Sequence, residues 1–300
     1  MSDIQSDIQD RHLAAFQQYR PLLFSLAYRM LGSASEAEDI LHDAYLRFLY
    51  VGLSEIEYPK AYLSAIITRL CLNQLTSARA RRETYLGPWL PEPILSAEHP
   101  ELADPEARAA EYDSISLAFL ALLERLTPAE RAVFILREVF EFEYAEIGEI
   151  LEKSEAACRK LFSRAKRFIA ANRPRFQASP EAHGRLLKEF MQAAGEGDLE
   201  GLTALLAEDV TFWADGGGKV RGAALQAVCG RVDVARFVIG VTARFTPQDA
   251  RFDVADVNGK PTLLIRHADG TPAIVVSIAV DEAHIHQIWV IANPDKLGAV

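Results

Sequence analysis

The sequence predicts a multidomain chain, two all-α units followed by an α+β domain, and three observations carry that expectation. Apolar residues recur at helical spacing through residues 8–82 and 109–172. Between those stretches lies a segment with five prolines, Pro88, Pro91, Pro93, Pro100 and Pro105. After about residue 181, helical spacing gives way to short alternating apolar runs separated by Asn258-Gly259 and Asp269-Gly270, both good hairpin turns. The expected boundaries are 8–82, 83–108, 109–175 and 183–298, and 300 residues suit two or three domains.

In the first unit Leu13, Phe16, Tyr19, Leu22, Leu23, Leu26, Ala27 and Met30 form one apolar stripe, closed by Gly32. Ser35 begins a second helix to Leu49 whose acidic first turn suits the helix dipole. Residues 52–58 read as a loop, and Pro59 opens a third helix to about Arg82. The prolines of residues 83–108 forbid a continuous helix. Tyr85, Leu86, Trp89, Leu90, Ile94 and Leu95 make this linker too apolar to be merely flexible, so it needs a surface to dock against.

The second unit reads as a helix followed by a helix-turn-helix. Thr127 and Pro128 are an N-cap and a first helical position, with Glu130 at the positive helix end. Val133, Phe134, Leu136, Val139 and Phe140 continue at helical spacing, a short helix Tyr144–Leu151 follows, and Ser154 caps a long one. Winding residues 154–169 at ~100° per residue separates two arcs. Arg159, Lys160, Ser163, Arg164, Lys166 and Arg167 share one arc; Cys158, Leu161, Phe162, Ala165, Phe168 and Ile169 share the other. Such a helix packs one side on its neighbours and offers the other to phosphates and base edges.

In the last domain, helices at about 183–195 and 198–207 precede a strand at 210–214, a glycine loop and a helix around 222–240. Strands are expected at 243–245, 250–256, 262–267, 274–280 and 285–291, as an antiparallel meander.

Net charge and cysteine usage narrow the function. The chain carries 32 Lys and Arg against 42 Asp and Glu, a net charge of −10. A free-standing DNA binder is usually basic. An acidic chain with a basic stripe points instead to DNA contact assisted by another protein. No apolar run approaches the ~18 residues of a membrane span, and the polar N-terminal residues do not resemble a secretory signal, so a cytoplasmic location is expected. Cys71, Cys158 and Cys229 form neither a disulfide framework nor a CxxC metal pattern.

Two helical units joined by a linker, the second ending in a basic helix-turn-helix, resemble the bacterial extracytoplasmic-function sigma factors. The strand-rich remainder resembles a SnoaL-like, nuclear transport factor 2-like cone, which one subfamily of these factors carries as a fused extension. Three further motifs resemble that subfamily: Trp89-Leu90-Pro91-Glu92-Pro93, Asp215-Gly216-Gly217-Gly218-Lys219 and Asn293-Pro294-Asp295-Lys296-Leu297. The resemblance implies an initiation factor without chemistry of its own. It would recruit core RNA polymerase through the clamp coiled coil, using Glu38, Asp39, Leu41 and Asp43, and through the flap. Ser154, Arg159, Lys160, Ser163, Arg164, Lys166 and Arg167 would read the −35 element of promoter DNA. Tyr58, Arg69, Asn73, Arg79, Arg81 and Arg82 would serve the −10 element, Tyr58 standing where the loop lacks a phenylalanine. The three motifs would be contacts through which the last domain regulates the sigma core.

Residues 215–219 lack the Walker spacing, and Val220 follows the lysine where Ser or Thr would be needed, so nucleotide binding is not expected. His267, His284 and His286, with Asp253, Asp256 and Asp281, offer an acid–base pair or a His-x-His zinc pair, but no third ligand is identifiable. They read instead as strand and turn residues of a cone lined mainly by Phe212, Trp213, Phe237, Phe245, Phe252, Ile288 and Trp289. No cofactor or metal is expected; a small apolar ligand in the cone is an open alternative. The rival reading of the whole chain is a SnoaL-like sensor or enzyme carrying a DNA-binding front.

Overall fold

The computed structural model describes residues 2–82, 85–99, 115–172, 178–247 and 249–300, excluding the side chains of residues 2–9 and 78–82. Two compact units emerge. One comprises Met1–Arg81, Pro100–Ser114 and Phe119–Arg173, the other Arg82–His99, Ile115–Ala118 and Pro174–Val300. The two helical segments expected as separate domains thus belong to one unit, and the described part of the linker belongs to the C-terminal unit.

The first unit is all-α. Helix α1 (Ser2–Leu31) ends where Gly32 turns at φ +66° and donates to the Tyr28 carbonyl. Helix α2 (Ala34–Phe48) starts one residue before the expected Ser35, capped by Ser33, whose hydroxyl accepts from the Glu36 N–H. A single 3-10 turn, Leu53–Glu55, interrupts the expected loop before α3 (Pro59–Arg82). Of the stripe read from the sequence, Phe16, Leu23, Leu26, Ala27 and Met30 are buried, joined by Phe24 and Tyr28, whereas Tyr19 and Leu22 are half-buried and Leu13 is exposed.

Helix α4 (Leu117–Leu123) precedes α5 (Pro128–Phe134), which opens on a capping box. Thr127 Oγ1 accepts from the Glu130 N–H at 3.3 Å, while the Glu130 carboxylate accepts from the Thr127 N–H at 3.2 Å. The expected continuous helix then widens into one π-helical turn, Ile135–Val139. Helix α6 (Tyr144–Leu151) ends as Glu152 enters the left-handed region, and α7 (Glu155–Asn172) follows. Ser154 caps α7, its hydroxyl accepting from the Ala157 N–H at 3.2 Å.

The second unit is α+β. Helices α8 (Pro180–Glu196) and α9 (Leu199–Leu205) lead into β1 (Leu206–Asp215), then β2 (Val228–Cys229) and α10 (Arg231–Phe245). Strands β3 (Arg251–Val257), β4 (Lys260–Arg266), β5 (Pro272–Val280) and β6 (Ile285–Ile291) complete a six-stranded sheet of order β2-β1-β6-β5-β4-β3. β3 to β6 form the expected antiparallel meander, but β1 joins β6 in parallel, so the sheet is mixed. Residues 222–230 are not helical, and the expected strand at 243–245 is the last turn of α10. Asn258 and Gly259, at φ +52° and +76°, make the β3–β4 hairpin as the sequence indicated.

Strand alternation gives this sheet two different faces. Phe212, Ile288, Leu263, Ile265 and Val276 join α8 and α10 in one core. Trp213, Trp289, Leu264, Val275 and Ile291 point the other way, into a cluster with Leu90 and Leu297. Trp213 and Trp289 therefore do not line the cone as expected: each is one residue out of phase with a neighbour that faces it.

Candidate nucleic-acid interface and linker clasp

Helix α7 presents Arg159, Lys160, Ser163, Arg164, Lys166 and Arg167 to solvent, while Cys158, Ala165 and Ile169 are buried. Burial raises the Cys158 thiol above its ordinary value, which makes it a packing group rather than a reactive one. Acidic neighbours hold several of the exposed cations. Arg159 pairs with Glu155 one turn earlier and lies 4.7 Å over the Tyr144 ring. Lys166 reaches Glu138 at 3.1 Å, and Arg167 donates to the Ser163 carbonyl at 3.3 Å. Arg164 Nε meets Glu130, the capping-box carboxylate of α5, at 3.1 Å. A candidate DNA reader is thus also a tether between two helices of its own unit.

The basis for the unit's internal packing was not visible in the sequence. Arg131, next to the capping-box glutamate, is 2% exposed; it donates to the Met30 carbonyl at the end of α1 and pairs with Glu124. Arg69, expected to face DNA, instead donates to the carbonyls of Ile150 (3.1 Å) and Glu149 (3.0 Å) at the C-terminus of α6, with Glu152 at 3.5 Å. A cation there suits both the unsatisfied carbonyls and the negative helix end. Tyr58 and Asn73 are exposed. The side chains of Arg79, Arg81 and Arg82 lie outside the described residues.

On α2, Asp39 and Asp43 are exposed, and Glu38 binds Arg20 through both carboxylate oxygens at 2.7 Å. Leu41 is only 3% exposed. It belongs to the core that supports the acidic face, which removes it from the expected surface contacts.

The three motifs singled out in the sequence converge within the C-terminal unit. Asp215, at the end of β1, is fully buried. Its Oδ2 accepts from the Leu90 N–H at 2.8 Å and from Lys296 Nζ at 2.7 Å; its Oδ1 accepts from the Tyr85 hydroxyl and from the Gly217 N–H at 3.1 Å. Lys296 Nζ also donates to the Leu90 carbonyl and sits 3.8 Å from the Trp89 ring centroid. Both backbone groups of Leu90 are therefore held by one carboxylate and one ammonium, much as a neighbouring strand would hold them. Burial and the Asp215 carboxylate push the Tyr85 hydroxyl up, so it remains a donor. Asn293 Nδ2 donates to that hydroxyl at 2.9 Å.

Pro91, Glu92, Pro93 and Ile94 are buried beyond this grip. Asn258, in the β3–β4 turn, accepts from the Ile94 N–H at 3.1 Å and donates its own N–H to the Ile94 carbonyl at 3.0 Å. Ser96 N–H donates to the Asp256 carbonyl at 2.9 Å. The glycines make close approach possible. At Gly217 (φ +58°) a Cβ would lie 2.5 Å from Asn293 Nδ2; at Gly218 (φ +72°) it would lie 3.1 Å from Leu86. Lys219 pairs with Asp295, while Pro294 is exposed and Leu297 buried in the linker cluster. Tyr85 and Asn258 were missed as contact residues: one read only as an apolar linker residue, the other only as a turn former.

His284 and His286 both approach Asp281, His284 Nδ1 lying 4.0 Å from its carboxylate. His267 and His284 are exposed, and His286 donates to Asp281 at 2.9 Å. Burial would raise Asp281, but hydrogen bonds from His286 and from the Ala283 and His284 N–H groups hold it down at about 2. It anchors a turn in its ionised form. Among the described residues no group of three or more His, Cys, Asp or Glu is placed to hold a metal, and no helix is long and apolar enough to cross a membrane.

A cavity of about 780 Å³ opens between α8, α10 and the inner face of the sheet. Phe212, Phe245 and Phe252 line it as expected, whereas Phe237 and Ile288 pack in the core beside it.

Comparison with known proteins places these features. The model of sigma-70 region 2 matches residues 15–81, and that of sigma-70 region 4 matches residues 116–169. The chain is 37% identical to the ECF RNA polymerase sigma factor SigJ of Mycobacterium tuberculosis, over 95% of this chain and 92% of that protein. It is 31% identical to the ECF RNA polymerase sigma factor SigG of the same species, over 65% of this chain and 59% of that protein. The crystal structure of SigJ superposes with a TM-score of 0.74 at 34% identity, covering 96% of this chain and 98% of the other. With both sigma regions present and a similar relative matching almost end to end, the chain belongs to the extracytoplasmic-function RNA polymerase sigma factors.

Proposed function

We propose that this sigma factor, which as a member of its family binds core RNA polymerase and promoter DNA, is regulated in cis by its C-terminal domain through the linker. The carrying observation is that Asp215 and Lys296 hold both backbone groups of Leu90. The linker joins the −10 and −35 readers, so a domain that fixes its path limits how the readers move apart to span a promoter. In the same reading, Glu38, Asp39 and Asp43 meet the clamp coiled coil and region 4 meets the flap. Duplex contacts come from α7, and captured −10 bases drive melting. Arg69 would have to leave the α6 carbonyls before it reaches DNA, which adds an unlocking step within the sigma core.

Run-off transcription with core polymerase tests this. Protein truncated before residue 181 and Asp215→Ala should both change promoter output at least severalfold relative to the full chain. Unchanged output from both variants would refute cis regulation while leaving the sigma assignment intact. A second reading, a small-molecule sensor fused to a sigma core, is favoured by the apolar cavity and predicts output that responds to a ligand.

A further inference from the structure

The cavity of the C-terminal domain combines an apolar wall with a one-signed rim. Met191, Val238, Val241, Leu263 and Val276 are among its walls, and Phe245 and Phe252, 44% and 52% exposed, stand at its opening. Lys188, Lys219 and Arg221 also line it, and none of the lining residues is acidic. In a chain of net charge −10, a cavity with three cations and no acid is a local reversal of sign. Lys188 and Arg221 are exposed and make no ion pair among the described residues. Its volume, about 780 Å³, falls within the range typical of small-molecule sites.

One of the cations is shared. Lys219 lines the cavity and ion-pairs with Asp295, the residue before the Lys296 that holds Leu90 and Asp215. An anion bound in the cavity would compete with Asp295 for Lys219. The same loop carries Gly217 and Gly218 against Asn293 and Leu86. Cavity and linker grip are thus two sides of one glycine-rich turn.

We infer that the cavity binds an apolar molecule with a single carboxylate, such as a chain fatty acid, and that its headgroup draws Lys219 from Asp295 and loosens the hold on the linker. The binding half stands on the cavity alone; the loosening half rests on the cis-regulation reading above.

Calorimetric titration of the full chain with dodecanoate, dodecanol and dodecylamine, all below micellar concentration, tests the binding half. Dodecanoate should bind at least tenfold more tightly than dodecanol, and dodecylamine most weakly. The double variant Lys188→Glu, Arg221→Glu changes only exposed side chains; it should lower dodecanoate affinity at least tenfold and leave dodecanol unchanged. Equal affinity for the three probes, or an unchanged dodecanoate affinity in the double variant, overturns the headgroup assignment. Absence of any binding overturns the site.

The loosening half has its own readout, because the three tryptophans (Trp89, Trp213 and Trp289) lie in or beside the linker grip. Saturating dodecanoate should shift their emission and change run-off yield, with no such effect on protein truncated before residue 181. Asp295→Ala should reproduce the shift without ligand. Tight dodecanoate binding with unchanged emission and yield overturns the coupling and leaves the site standing. Unchanged output on truncation overturns cis regulation without touching the binding result.

Discussion

Helix α7 and the linker grip both rely on charged side chains, yet they use charge in opposite ways. The cations of α7 are at the surface; Arg159 and Arg164 keep 60% and 64% of their side-chain exposure while paired to acids. Such pairs contribute little, ~0–1 kcal/mol each, and salt screens them. They can exchange a carboxylate partner for a phosphate at small cost. In the grip, Asp215 and Lys296 are 0% and 7% exposed, and every polar atom of the carboxylate is matched to a donor. A buried pair of that kind adds little net stability over an apolar replacement, but losing one partner strands the other. The comparison teaches that exposed charge here is available for exchange with DNA, whereas buried charge fixes a path for the chain.

The largest effect that would sharpen this contrast is on the grip. Asp215→Ala should destabilise the C-terminal unit by about 3–5 kcal/mol, because Lys296 would remain buried without its carboxylate. Urea unfolding followed by tryptophan emission measures it. Adding Lys296→Met should recover much of the loss, and a single-variant effect under ~1 kcal/mol would place the grip in the same class as a surface pair. Next in size, Arg159→Ala should weaken promoter binding by roughly 1–3 kcal/mol and relax selectivity at one base if the guanidinium reads a base edge. Uniform loss across sequences would make it a phosphate anchor, and no loss would remove α7 from the interface. Arg164→Ala should combine a similar loss of DNA affinity with a loss of stability, because Glu130, whose side chain is only 9% exposed, loses its cation, and comparing melting with binding separates the two roles.

The smallest effect concerns pH. Burial holds His183, near the start of α8, below the ordinary histidine value, and its ring nitrogen lies 3.0 Å from the Pro261 carbonyl. The folded state favours the neutral ring, so the unfolded chain binds the additional proton. This contribution is complete above the unfolded value of 6.5 and declines as pH falls below it. Asp281, held at about 2, adds a second loss that begins only near 3.8. The melting temperature should therefore drop between pH 7 and 5.5 in the parent and less in His183→Gln. An equal drop in both would assign the effect elsewhere.

Much of the sigma core was legible because its signals are local. The Thr127–Glu130 capping box, the Ser154 cap and the apolar stripe of α1 each specify their element within a few residues. The linker motif and the two C-terminal motifs were singled out through the family resemblance, and Asp215 and Lys296 join them at Leu90. What the sequence concealed is long-range. No local pattern says that Arg69 satisfies the end of α6, or that Lys296 is buried under Trp89, 207 positions earlier in numbering. The turn of α10 at residues 243–245 was mistaken for a strand because Phe245 is followed by β-branched Thr246, a propensity that helix packing overrode. Trp213 and Trp289 were assigned to the cone by composition, although strict alternation sends them to the opposite face.

The separation between the two halves of the grip has a consequence for biosynthesis. Leu90 leaves the ribosome 206 residues ahead of Lys296. At roughly 5–20 residues per second, Leu90 waits roughly 10–40 s for Lys296, and region 4, complete near residue 169, precedes Lys296 by roughly 6–25 s. A nascent chain in that interval carries every DNA- and polymerase-facing element without its restraint. If the last domain regulates the core as proposed, translation that stalls or terminates early in it would release an unrestrained factor, and completeness of synthesis would itself be a condition of control.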